Sequence, residues 1–260
     1  MSPTTPPAAA AAAAAAPAAI IGSTGLVGSH ILSTILAGET YAPVTTITRR
    51  SPKTAGAAGG ETSSSLNAVV DTDTTQWASV LSALRPAPEA VFSALGTTRA
   101  AAGGLAEQWK VDHDLNVELA RAAKAAGAQT FVFVSSGGTR GLLSSRVPYS
   151  RMKNGVEDAV RALGFAHAVI LKPGLILGER EQARAAEGWF QTLTHGLGRV
   201  SGAAKDFLAQ DAEVIARAAV RAAQLARDGK APSEYWVLEA SDILRLGRTE
   251  WKDEAQKPAA

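Results

Sequence analysis

The hydrophobic pattern divides the chain into short apolar runs separated by longer stretches with helical spacing. Residues 18–21 form an apolar run that stops at Gly22, and residues 26–37 follow with apolar positions three and four apart. Residues 44–48, 67–71 and 90–94 are β-branched or apolar runs of strand length. The clearest strand is 130–135 (TFVFVS), and 168–172 (AVILK) is another. The spacing predicts one long helix over 105–126, broken by Gly127, and a second over 149–163. Strands alternating with helices predict βαβ units in a parallel sheet. Strands that are apolar almost throughout predict a sheet covered on both faces. The expected fold class is α/β, a doubly wound parallel sheet with a small, mostly helical C-terminal lobe.

Two segments break this rhythm. Residues 51–66 are rich in Pro, Gly and Ser and read as a loop. Beyond Glu179 strands thin out, helices are expected over 184–195 and 209–227, and 235–238 (YWVL) is one late strand. The expected organisation is a low-complexity tail (1–17), a sheet domain (18–178), a small substrate-side lobe (179–248) and a polar tail (249–260).

Composition changes this picture in a few places. Of 54 alanines, eleven fall in the first twenty residues, and without alanine about a quarter of the chain is apolar, enough for one core. The rest of the excess is expected on helix surfaces. Cysteine is absent, which excludes disulfides, thiolate metal sites and cysteine nucleophiles. The net charge of +2 comes without a Lys/Arg block, so no nucleic-acid partner is expected. Residues 8–21 are too short to span a bilayer, which needs roughly 20 residues. The first basic residue is Arg49, so neither a secretory signal nor an arginine-rich presequence is expected. The expected location is the cytoplasmic side, neither secreted nor matrix-targeted.

Chemistry enters at the first turn. Gly22-Ser23-Thr24-Gly25-Leu26-Val27-Gly28 is GxxGxxG at a strand-to-helix junction, where a pyrophosphate can approach backbone amides. Gly22 serves the tight turn, Gly25 the close approach and Gly28 the packing of helix on strand. At the end of the second strand an acidic residue would bind the ribose of NAD; this chain has Arg49 and Arg50 instead. Two guanidinium groups suit a 2′-phosphate, so the expected cofactor is NADP(H). Asp71, ending the third strand, is either an acceptor for the adenine amino group or a helix cap.

Tyr149 and Lys153 form YxxxK, one turn apart on one helix face. The ammonium is expected to lower the phenol pKa, and Ser136, at the end of a strand, can polarise a carbonyl. Ser135 is the rival for that role, because register at a strand end is uncertain by one. Asp112 and Asp114 flank His113 and read as a solvated helix face, and Asn116 is either structural or a surface amide. The four histidines lack metal-ligand spacing, so no metal is expected. Trp189 and Phe190 could line a pocket in the C-terminal lobe.

The ordered set GSTGLVG (22–28), TRR (48–50), SALGTTR (93–99), VDHDLNVELARAA (111–123), FVFVSS (131–136), YSRMK (149–153) and LKPGLILGERE (171–181) resembles the short-chain dehydrogenases/reductases of atypical or extended type, with their Rossmann-type NAD(P)-binding fold. It is more closely similar to the fungal "found in mitochondrial proteome" number fifty-two family and to the animal Tat-interacting oxidoreductase-like protein. The resemblance implies that Ser136, Tyr149 and Lys153 are catalytic, and that the turns Leu95-Gly96-Thr97 and Pro173-Gly174 line the cofactor. It implies an NADPH-dependent oxidoreductase acting on a small carbonyl compound. The alternative is a non-catalytic NADP(H)-binding regulator, with peripheral attachment to the outer mitochondrial membrane. Monomer and homodimer both stay open.

Overall fold

In the computed structural model the described residues are 15–52, 65–141, 144–177 and 209–251. The elements run β1 (Ala16–Ile21), α1 (Leu26–Gly38), β2 (Tyr41–Thr48), β3 (Leu66–Val70), α2 (Trp77–Ala83), β4 (Ala90–Ser93), α3 (Arg99–Ala102), α4 (Leu105–Trp109), α5 (Asn116–Ala126), β5 (Thr130–Val134), α6 (Pro148–Ala162), β6 (His167–Leu171), β7 (Leu175–Leu177), β8 (Ala209–Asp211), α7 (Ala212–Arg227), β9 (Tyr235–Leu238) and α8 (Ala240–Leu244). Seven strands form one parallel sheet in the order β3-β2-β1-β4-β5-β6-β9, and β7 and β8 form a separate parallel pair. The order reverses between β1 and β4, and the crevice outside their carboxyl ends is where such sheets bind ligands.

Both faces of the sheet are covered, as the apolar strands predict. Alternate residues point to opposite faces, and the core divides accordingly. Ile20, Phe92, Val132 and Val169 pack with Ile31 and Ile35 of α1 and with α7 on one face. Ile21, Val91, Phe131, Phe133 and Ile170 pack with α2, α5 and α6 on the other. Residues 209–227 are not helical throughout: a three-residue strand precedes α7. Together with β9 and α8, α7 builds into the sheet and its covering layer. The expected helix at 184–195, and with it Trp189 and Phe190, lies outside the described residues.

The alanines of α7 correct the expectation that alanine sits on helix surfaces. Ala216, Ala218, Ala219, Ala222 and Ala223 are fully buried, because α7 lies against α1 and β6 where larger side chains would hold the backbones apart. Nor is the 105–126 helix continuous. Residues Lys110–Leu115 form a π turn between α4 and α5, and such turns leave backbone carbonyls without their ordinary helical partners. Asn116 compensates: its amide donates to the carbonyls of Val111 at 3.1 Å and Asp112 at 3.4 Å, and to Leu95 at 3.4 Å. Its own carbonyl accepts the Ser93 hydroxyl at 2.7 Å. Asn116 is therefore structural and completely buried, not a surface amide.

Two substitutions test this framework. Asn116→Leu strands the Ser93 hydroxyl and the π-turn carbonyls, and should cost about 1–3 kcal/mol in urea unfolding. Unchanged stability would show that the π turn does not depend on that amide. Gly28→Ala would put a Cβ 2.1 Å from the carbonyl oxygen of Gly22. It should lower stability by about 2–4 kcal/mol, whereas a neutral result would mean that α1 can lift away from β1.

Candidate functional site

The glycine turn is built by close contacts. Gly22 has φ +84°, and a Cβ there would lie 2.8 Å from the Ala94 backbone, so only glycine fits beneath the end of β4. The Gly22 carbonyl accepts the Gly25 amide at 2.9 Å and closes the turn. Thr24, Gly25 and Leu26 are exposed, while Val27 is buried in the core and offers only its backbone. α1 starts without a side-chain cap and without an acidic residue in its first turn. Its first amides are thus left for an anion, favoured there by the helix dipole. The Ser23 hydroxyl is buried and makes no hydrogen bond. An open, uncapped helix start beside a glycine cradle fits a dinucleotide pyrophosphate.

The ends of β2 and β3 lie side by side, with Thr48 opposite Val70 and the Asp71 amide donating to the Thr48 carbonyl at 2.8 Å. Arg49 and Arg50 are exposed just past this edge, and the Thr48 hydroxyl donates to the Arg50 carbonyl at 2.7 Å, fixing the bend. Asp71 does not cap the next helical turn. Its carboxylate accepts the Asp73 amide at 2.9 Å, and Asp73 is the cap, accepting the Thr75 amide at 3.0 Å.

Beyond β5 the two serines separate. The Ser135 hydroxyl turns inward and donates to Glu157 at 2.5 Å. Ser136 lies near the Tyr149 phenol and lowers its pKa. Glu157 is buried and also receives Arg140 Nε at 2.9 Å and Lys172 Nζ at 3.4 Å. This cluster ties the end of β5, the following loop, α6 and the end of β6 together. The Gly137 amide adds a bond to the Pro173 carbonyl at 2.7 Å, which sets the Pro173-Gly174 turn.

Tyr149 and Lys153 differ in environment although they share a helix face. Tyr149 is 39% exposed at the start of α6, whereas Lys153 is 5% exposed. The Lys153 ammonium donates to the Val134 carbonyl at 3.4 Å and lies 5.0 Å from the centre of the Phe133 ring. Burial lowers its pKa, against the opposing charges of Asp112 and Glu157. The expectation that Lys153 depresses the Tyr149 pKa is not met. Partial burial raises the phenol, nearby Ser136 lowers it and the Asp112 charge raises it. The ammonium donates instead to the Val134 carbonyl.

Asp112 corrects the reading of residues 112–114 as a solvated face. It is 1% exposed. Its carboxylate accepts the Thr97 amide at 2.7 Å and the Gln108 side-chain amide at 3.1 Å. Burial raises its pKa, and Lys153 and these two hydrogen bonds lower it. A Cβ built on Gly96 would lie 3.5 Å from an Asp112 carboxylate oxygen and 3.8 Å from Lys153 Nζ, so both groups converge under the Leu95–Thr97 turn. The signal was present in the spacing. Asp112 stands four residues before buried Asn116, and Glu157 stands four after Lys153, each on an inward face.

Comparison with known proteins agrees with this architecture. The sequence pattern of the NAD dependent epimerase/dehydratase family matches residues 18–237. "Protein fmp-52, mitochondrial" of Neurospora crassa is 58% identical over 238 residues, 90% of this chain and 96% of that protein. "Protein FMP52, mitochondrial" of Chaetomium globosum is 53% identical over 235 residues, 90% of this chain and 98% of its own length. Among solved structures, the Bordetella bronchiseptica enzyme WbmH in complex with NAD+ has the same fold, with TM-score 0.60 and 18% identity, covering 94% of this chain and 83% of that one. The mitochondrial names of these relatives overturn the expected cytoplasmic, non-matrix location. With the family pattern spanning most of its length, the chain belongs to the NAD dependent epimerase/dehydratase family and stands among the fungal FMP52 proteins.

Proposed function

We propose that the protein is an NADPH-dependent reductase of a small carbonyl compound. The observation that carries this is the Tyr149 phenol. It is half open at the carboxyl end of the sheet, near Ser136, and raised in pKa by partial burial, so it keeps its proton at neutral pH. A protonated phenol suits reduction, where it donates to the carbonyl oxygen as that oxygen gains charge. Ser136 holds the same oxygen, and its hydroxyl steadies the phenolate left behind. In this reading Lys153, beneath the Leu95–Thr97 turn, holds ribose hydroxyls. When bound, NADPH supplies the hydride that joins the carbonyl carbon.

The choice of NADPH over NADH rests on Arg49 and Arg50. Both extend from the end of β2 without an ion-pair partner among the described residues, at the place where an acidic side chain would favour the unphosphorylated ribose. In a thermal-shift assay NADPH should stabilise the purified protein more than NADH does. Replacing both arginines by alanine should weaken NADPH binding about tenfold or more, with NADH binding hardly changed. Equal responses to the two cofactors in the unaltered protein would overturn the assignment.

Tyr149→Phe should reduce turnover by about 10²–10⁴-fold while leaving the NADPH dissociation constant almost unchanged. An active Tyr149→Phe variant would remove the phenol from the reaction. Tight NADPH binding with no turnover across a broad carbonyl panel would point instead to a non-catalytic NADP(H)-binding regulator.

A further inference from the structure

We propose that Asp112 is a positioning residue that holds the buried Lys153 in its charged form and fastens the Leu95–Thr97 turn to it, so that the turn and the lysine are set as one unit. This rests on the roles given above to that turn and to Lys153.

The geometry is specific. Asp112 projects from the π turn between α4 and α5, the one place where that helix departs from regular spacing beside the site. Its two carboxylate oxygens are both used, one by Thr97 and one by Gln108, and Gln108 also donates to the Thr97 carbonyl at 3.1 Å. These three residues close a ring around the end of the β4 turn. Both donors to Asp112 are uncharged. The ring takes an acceptor at each carboxylate oxygen. The cation on which the carboxylate's charge bears is Lys153, since a Cβ on Gly96 would lie 3.5 Å from the Asp112 carboxylate and 3.8 Å from the Lys153 ammonium.

The surroundings leave few other sources of compensation. From β5, Lys153 meets the Val134 carbonyl and the Phe133 ring. From its own helix it senses Glu157, but that carboxylate already takes hydrogen bonds from Ser135, Arg140 and Lys172. His113, next to Asp112, pairs with Asp114 and lies against Gly155 of α6. Lys110 pairs with Glu107 at the surface, and Arg151 lies over the Trp109 ring. Tyr149 is the other titratable group that feels Asp112.

The sign of the effect follows. Removing the Asp112 charge withdraws a stabiliser of the ammonium, so Lys153 should lose its proton at lower pH, and any step that needs the ammonium should lose its alkaline limb earlier. Asp112→Asn removes the charge and keeps an acceptor for the Thr97 amide, at the loss of the Gln108 hydrogen bond, because Gln108 Nε2 also donates to the Thr97 carbonyl. The direct measurement is the NMR titration of the Lys153 Cε resonance in the whole protein, without cofactor or substrate. The midpoint should fall by about one pH unit in Asp112→Asn. The reciprocal variant, Lys153→Met, should raise the titration midpoint of the Asp112 carboxyl, and it decides the matter if Asp112→Asn does not fold. An unchanged midpoint in either folded variant would overturn the proposal. Neither measurement uses turnover, so an inactive protein can still show the coupling and an active one can lack it.

Discussion

Burying one ammonium at the carboxyl edge of a parallel sheet organises most of this site. Desolvating a charge costs several kcal/mol unless opposite charge and hydrogen bonds compensate. Lys153 is enclosed beneath the β4 and β5 ends, and the groups that compensate it come from three directions. Val134 offers a carbonyl, Asp112 reaches in from a distorted helix, and Glu157 sits one turn along α6. Each of these is itself held in place. Asp112 needs the π turn, the π turn needs Asn116, and Asn116 is locked by Ser93 of β4. Lys153 is thus tied to the sheet through a chain of buried polar contacts.

The second constraint is steric. Gly22 and Gly28 let the start of α1 lie almost in contact with the ends of β1 and β4. Larger residues at either position would push the helix away and close off the amides it presents. The two constraints meet at the β4 exit: Ala94 and Leu95 press on Gly22, and Leu95 also accepts from Asn116. The glycine cradle and the lysine pocket therefore share one turn.

Much of this was legible from periodicity. The strand runs at 44–48, 130–135 and 168–172 appear as β2, β5 and β6 within a few residues, because apolar strands between two helical layers carry a strong signal. The glycine turn was equally plain. The hidden features are those in which tertiary packing overrides local pattern. Residues 105–126 read as one helix because no single residue marks a π turn; it exists through contacts with β4 residues far away in sequence. Asp112 read as solvated because carboxylates are rarely buried, and only its common face with Asn116 hinted otherwise. Lys153 was placed correctly on the helix, but its effect on Tyr149 was not, since helical spacing gives the face and not the direction of the ammonium. The α7 alanines were misplaced for a similar reason: alanine at a surface and alanine at a tight helix–sheet contact look alike in sequence.

The most direct measurement is a crystal structure of the protein grown with NADPH. The account predicts the pyrophosphate on the amides following Gly22, the 2′-phosphate between Arg49 and Arg50, and the nicotinamide ribose within hydrogen-bond reach of Lys153, beside Tyr149. Cofactor density elsewhere on the molecule, or none at saturating NADPH, would contradict it.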